Sequence, residues 1–135
     1  MITTLAALVD DLCASDDVDW FTRRWGRAEP SRARDPGVRV VCAPDCPFEA
    51  LEVRPWGDDV TGLVDVEFRT GRPGLGWAAV RNRFGPFRDL PRRHPSAPQF
   101  GGTTTGATGS PADAFLVVTV AGDTVVDLCV RRDPR

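Results

Sequence analysis

The chain has 135 residues, of which 41% are hydrophobic and 27% are charged, and its formal net charge is −2. A chain of this length and composition is expected to form a single soluble domain, residues 1–135, with a core of its own. The charge excludes the strongly basic field that draws proteins to nucleic acids or to anionic membranes.

The basic residues are all arginine, and the sequence contains no lysine and one histidine, His94. This bias is typical of a GC-rich, bacterial coding sequence. It excludes a lysine Schiff base, the lysine of a phosphate-binding P-loop and a histidine-rich metal site. No catalytic centre is recognisable and neither a cofactor nor a metal is expected, so the sequence favours a binding protein without settling whether the chain is an enzyme.

The start of the chain lacks the features of an export signal. Residues 1–5 carry no basic side chain, and Asp10 and Asp11 interrupt the apolar stretch that follows. No run of about 18 apolar residues occurs, so no membrane span is expected. The sequence therefore predicts a cytoplasmic protein. Its four cysteines would be reduced there, with a disulfide between Cys42 and Cys46 as the alternative.

Hydrophobic spacing predicts three helices. The first spans residues 3–14, the second ends at Trp25 and the third spans residues 77–84. A glycine follows each of the last two, in the position that favours helix termination. The polar residues 27–37 are predicted to form a loop.

Alternation of apolar and polar residues predicts the strands of an antiparallel sheet. The predicted strands are residues 38–42, 48–56, 64–69, 115–120 and 124–130. The last two form a hairpin around Gly122. Residues 89–114 show little periodicity, and we expect there a short strand near 99–105 and a mobile segment near 106–111.

The two halves of the sequence resemble each other. The tripeptide RWG at 24–26 is followed, after strands and a turn, by VDVEFR at 64–69. The tripeptide RFG at 83–85 is followed in the same way by VDLCVR at 126–131. A repeat on this scale indicates a duplicated supersecondary unit.

The repeat predicts the fold class. Two units, about residues 16–70 and 74–132, would each place a helix on an antiparallel meander. Joined side by side, they would form one α+β sheet with helices packed on one face and the other face open. This arrangement resembles the tandem helix-plus-meander fold of β-lactamase-inhibitor-protein-like domains. The resemblance implies a protein-binding sheet face, and no individual functional residue transfers from it.

The open face defines the candidate site. The residues assigned to it by strand alternation are Glu52, Arg54, Trp56, Asp65, Glu67, Arg69, Asp127 and Arg131. Mixed charge around an exposed tryptophan favours a protein interface, because tryptophan and arginine are enriched among binding hot spots. A solvated sheet face with cross-strand ion pairs is the alternative.

These features favour a small protein-binding module, in particular an immunity-type inhibitor that neutralises a toxin by covering its working surface. No nucleic acid or membrane partner is expected. The alternative is a cone-shaped ligand-binding protein or small enzyme similar to the nuclear-transport-factor family. Residues 5–25 of this chain resemble the two helices with which that fold begins. Such a fold would curl its sheet around an apolar pocket lined by Trp20, Trp25 and Phe68.

Overall fold

The computed structural model describes residues 1–14, 16–31, 37–57, 59–90, 100–106 and 113–133. Within these residues the chain forms three helices and nine strands, which confirms the predicted α+β class. In chain order they are α1 (Ile2–Ala14), α2 (Val18–Trp25), β1 (Gly26–Pro30), β2 (Val38–Cys42), β3 (Phe48–Arg54), β4 (Gly62–Phe68), β5 (Leu75–Gly76), α3 (Trp77–Phe84), β6 (Arg88–Leu90), β7 (Phe100–Gly106), β8 (Asp113–Ala121) and β9 (Thr124–Arg132).

Local signals in the sequence set the helix ends. The side chain of Asp17 caps α2 by accepting a hydrogen bond of 3.2 Å from the backbone N–H of Trp20. At the other end the N–H of Gly26 donates to the carbonyl oxygen of Thr22. The three predicted helices are confirmed, and none of those described has the length and apolar character needed to cross a membrane.

The strands form one antiparallel sheet with the order β1-β2-β3-β4-β9-β8-β7-β6, and β5 pairs with the beginning of β9. Strands β1 to β4 are successive neighbours, and so are β6 to β9. The last strands of the two runs, β4 and β9, therefore meet in the middle of the sheet. Along the chain, α2 precedes the first run and α3 precedes the second.

The two edge strands differ from the sequence prediction. Residues 27–37 were predicted to form a loop, but Gly26–Pro30 forms β1 and pairs with β2. The short strand β6 pairs with β7 in the same way at the other edge. An edge strand exposed to solvent on its open side can be short and polar, so neither strand shows the alternation that identifies an inner one. The strand expected near 99–105 is found as β7.

Two features of the sequence analysis lie outside the described residues. They are His94 and, from residue 107 onward, the segment that was expected to be mobile.

One hydrophobic core unites the three helices with one face of the sheet. Burial follows the strand alternation: in β4, Val64 and Val66 are buried while Asp65 and Glu67 are exposed. The helices contribute to this core the side chains of Leu5, Leu8, Leu12, Phe21, Val80 and Phe84. Burying an apolar side chain of this size contributes about 1.5–3 kcal/mol. Most polar side chains of the inner strands consequently lie on the opposite side of the sheet, which we call the open face. Arg132 at the end of β9 is an exception and is buried on the core side.

Candidate functional site

Strand register arranges the polar side chains of the open face in rows across the sheet. Arg39 lies opposite Glu52, Glu52 opposite Asp65, and Asp65 opposite Cys129. Opposed side chains in an antiparallel ladder have their Cβ atoms about 4.5–5.5 Å apart. The row therefore brings side chains from β2, β3, β4 and β9 into contact distance.

Carboxylates concentrate at the middle of the open face. Glu52 lies on β3, Asp65 and Glu67 lie on β4, and Asp127 lies on β9. We call these four residues the acidic band. The central pairing of β4 with β9 assembles it from two segments that are distant in sequence.

Arg39 is the cation around which this part of the face is organised. Its Nη1 donates to Glu67 Oε2 at 2.7 Å and to Glu52 Oε1 at 3.0 Å, and its Nε lies 3.5 Å from Glu29 Oε1. The Arg39 side chain is only 7% exposed, and its hydrogen bond to Glu67, followed by that to Glu52, raises the guanidinium pKa. Ser31 Oγ donates to the second oxygen of Glu52 at 2.7 Å. One buried cation thus binds carboxylates from three strands through charge-assisted hydrogen bonds and ion pairing.

The Asp65 carboxyl and the Cys129 thiol form a hydrogen bond between β4 and β9. Partial desolvation of the carboxyl by its neighbours on the sheet is the main cause that raises the pKa of Asp65, and the negative charges of Asp127 and Glu52 raise it further. Burial, followed by the charge of Asp65, raises the pKa of Cys129 to about 12. The thiol therefore stays protonated and donates to the carboxylate, so Cys129 is not a nucleophile at neutral pH.

The raised pKa of Asp65 predicts a stability gain for Asp65→Asn. The folded chain binds this proton more tightly than the unfolded chain, for which the ordinary pKa is 3.8. Wild-type stability therefore falls as the pH rises from that value through the raised pKa. We expect Asp65→Asn to raise the Tm at pH 7 by about 2 °C and to have no effect at pH 3. The exposed control Asp10→Asn should leave the Tm unchanged at both pH values, and an Asp65→Asn protein less stable than wild type at pH 7 would contradict the argument.

A row of arginine and apolar side chains borders the acidic band. Arg54, Leu63, Arg131 and Phe115 follow one another in register across β3, β4, β9 and β8. The Arg131 guanidinium lies 5.1 Å from the centre of the Phe115 ring and pairs with Asp133 at 3.0 Å. Leu63 and Phe115 are half-buried. We call this set the arginine-aromatic row, and aromatic and arginine side chains of this kind are typical of protein interfaces.

The structure places six of the eight predicted site residues together on the open face. They are Glu52, Arg54, Asp65, Glu67, Asp127 and Arg131. The expectation that Trp56 is exposed on this face is wrong, because Trp56 is only 9% exposed and its ring meets Phe21 edge-on at 5.5 Å. Strand β3 ends at Arg54, before Pro55, so its alternation does not extend to residue 56.

Arg69 lies just beyond the end of β4, where it connects that strand to the turn between β2 and β3. Its guanidinium donates to the carbonyl oxygens of Cys46 and Ala43 at 2.7 and 2.8 Å, and to Glu49 Oε2 at 2.6 Å. These bonds give Arg69 a role within the fold, at the border of the open face.

The cysteine turn between β2 and β3 holds two free thiols. Cys42 is buried and Cys46 is half-buried. Burial is the main cause that raises the pKa of Cys42 to about 12, and the neighbouring Cys46 raises it further. Within the described ranges, no group of three or more histidine, cysteine or acidic residues is placed to hold a metal ion.

Arg39 and Phe115 are the important residues that the sequence prediction did not include. Arg39 alternates with Val38 and Val40 in β2, so strand parity alone was sufficient to assign it to the open face. Phe115 precedes the buried Leu116 in β8. It is an aromatic residue of the open face, the role that the sequence prediction assigned to Trp56.

The structure describes a groove of about 380 Å³ on the helical side of the molecule. It is lined by Ile2, Thr3, Ala6, Ala7, Asp10 and Arg83. The apolar pocket expected for a nuclear-transport-factor-like cone would instead be lined by Trp20, Trp25 and Phe68, none of which borders this groove. Phe68 packs against Phe48, with ring centres 6.1 Å apart.

Comparison with known proteins gives no relative: no family model, no curated protein and no solved structure matches the chain. The resemblance to β-lactamase-inhibitor-protein-like domains therefore stays a prediction.

Proposed function

We propose that the chain is a cytoplasmic protein-binding module that covers a partner protein with its open face, in the manner of an immunity-type inhibitor covering a toxin. The observation that supports this is the distribution of side chains across the sheet. In the part of the chain that the structure describes, the helices pack into a core on one face, whereas the acidic band and the arginine-aromatic row lie on the other.

The size of the open face supports the same proposal. Strands lie about 4.8 Å apart and extend about 3.4 Å per residue. The five inner strands β2, β3, β4, β9 and β8 therefore offer a patch of the same order as the roughly 800 Å² that each partner contributes to a stable complex.

The strand register supports a duplicated origin for this broad face. Aligning VDVEFR at 64–69 with VDLCVR at 126–131 makes Val66 equivalent to Leu128, and these two residues lie directly opposite each other in the β4–β9 pair. A two-fold axis between them would relate the unit of α2 and β1–β4 to that of α3 and β6–β9. Two such units joined through β4 and β9 would give one continuous binding face.

The proposal is tested by capture of a partner from the cells that make the chain, with variants of the open face. Leu63→Ala combined with Phe115→Ala removes the half-buried apolar side chains of the arginine-aromatic row. We expect this double variant to lose at least about tenfold in partner affinity, because hot-spot side chains each contribute more than about 1 kcal/mol.

A matched control truncates two half-buried side chains on the helical side, Ile2→Ala with Phe87→Ala. This control should retain the partner. Co-expression with the captured partner then tests the immunity-type role: wild type should rescue growth from a toxic partner, and the open-face variant should not. Equal binding by the two double variants, both folded by circular dichroism, would show that the open face is not the interface.

A further inference from the structure

The acidic band carries a surplus of negative charge at the centre of the open face. The guanidinium of Arg39 binds three carboxylates, those of Glu29, Glu52 and Glu67, while Asp65 and Asp127 lie beside them on the open face. Arg39 is only 7% exposed, and its charge is shared by the neighbouring side chains of Glu29, Glu52 and Glu67. A partner approaching from solvent meets the carboxylates first.

Asp65 and Asp127 differ from the other members of the band in their charged neighbours. Within the described residues neither forms an ion pair, whereas Glu52 and Glu67 both bind Arg39. The Asp65 carboxyl is bonded to the neutral Cys129 thiol, and the charge of Asp127 raises its pKa. Among the residues that the structure describes, these two neighbouring carboxylates on adjacent strands are therefore the ones open to an external cation.

The described arginines at the borders of the open face offset only part of this charge. Arg131 pairs with Asp133 at 3.0 Å, and Arg69 is bonded to Glu49 at 2.6 Å. The charge of Arg54 favours ionised Asp65 and offsets part of the negative charge there. Because Glu52 and Glu67 share the one guanidinium of Arg39, the described part of the band still carries more negative than positive charge.

The surroundings of Asp65 and Asp127 favour a long cationic side chain over a small ion. Val117, which pairs with Cys129, and Leu63 are half-buried neighbours of the band. Arginine and lysine side chains pack their aliphatic stems on such surfaces while the charged head binds a carboxylate. Nucleic acids and anionic membranes carry the wrong sign of charge for this band.

We infer that the partner presents a cationic protein surface, and that its arginine or lysine side chains bind the acidic band at Asp65 and Asp127. This inference rests on the proposed function and adds the chemical class of the partner. The arginine-aromatic row would contribute apolar contacts beside the band, and the band would select the partner by charge.

The test uses the full chain and a defined probe, a nonapeptide of alternating arginine and alanine with uncharged ends. A peptide of alternating glutamate and alanine is the control of opposite charge. In an NMR titration, we expect amide shifts around Asp65 and Asp127 with the arginine peptide and none with the glutamate peptide. Asp65→Asn combined with Asp127→Asn should weaken arginine-peptide binding about tenfold, and rising salt should weaken wild-type binding.

A matched control, Asp10→Asn with Asp19→Asn, removes the same charge from exposed positions on α1 and α2 and should bind like wild type. Shifts centred on α1 and α2, or equal binding by the two double variants, would overturn the inference. The captured partner separates the two proposals. If Leu63→Ala with Phe115→Ala abolishes capture but Asp65→Asn with Asp127→Asn does not, the charge assignment fails and the open-face function stands.

Discussion

Replacing Trp56 with alanine is expected to lower the free energy of unfolding by about 3–5 kcal/mol, the usual cost of truncating a buried aromatic side chain. Trp56 is 9% exposed, and its ring meets Phe21 edge-on at 5.5 Å. The Arg132 guanidinium lies 5.3 Å from the ring centre. Gly62 approaches so closely that a β-carbon on it would lie 2.7 Å from the ring. The ring fills a site shared by α2, β4 and β9, and its loss would leave a cavity.

Urea denaturation measures this cost, with Trp20→Ala as the control. Trp20 is half-buried on α2, with the Arg24 guanidinium 5.6 Å from its ring centre, and its truncation should cost about 1 kcal/mol. The midpoint of Trp56→Ala should fall well below that of the control at an unchanged denaturant slope. Similar midpoints for Trp56→Ala and wild type would contradict the buried position of this ring.

The parts of the fold predicted correctly from the sequence depend on interactions between residues near in the chain. The helix α2 follows an aspartate cap and ends before a glycine, and the final hairpin turns at Gly122, whose φ of +62° favours glycine. Inner strands such as β4 show clear alternation because one of their faces is buried. Each of these signals lies within a few residues of the element that it defines.

The position of Trp56 could not be predicted in this way, because alternation holds only while a strand remains paired. The ladder of β3 ends at Arg54, and the chain beyond it turns Trp56 toward α2. The signal for this burial is the contact with Phe21 and with the backbone at Gly62. Both contacts exist only after the sheet and helices have assembled.

The acidic band was predicted as a set of residues but not as a cluster. Strand parity placed Asp65 and Asp127 on one face, yet parity does not specify which strands are neighbours. Their proximity results from the pairing of β4 with β9, a contact between distant segments. Such pairing depends on the whole sheet, since each strand can satisfy its backbone hydrogen bonds with several alternative partner strands.

Replacing Arg39 with methionine is expected to lower the free energy of unfolding by about 2–4 kcal/mol. Removing one partner of a buried ion pair typically costs about 3–5 kcal/mol, and the exposure of the carboxylates reduces this value here. The side chains of Glu29, Glu52 and Glu67 are 33%, 21% and 46% exposed. Without the guanidinium, these carboxylates would repel one another across β1, β3 and β4. Urea denaturation at pH 7 measures the loss.

The exposed Arg27 offers a matched control on the neighbouring strand. Its side chain is 79% exposed and lies 3.9 Å from Glu29, so Arg27→Met should cost less than about 0.5 kcal/mol. If repulsion among carboxylates causes the loss, adding Glu52→Gln and Glu67→Gln to Arg39→Met should restore part of the stability, and a double-mutant cycle measures that coupling. A triple variant no more stable than Arg39→Met would show that Arg39 acts by packing alone, because neutral amides at both positions remove the repulsion while keeping the side-chain volume.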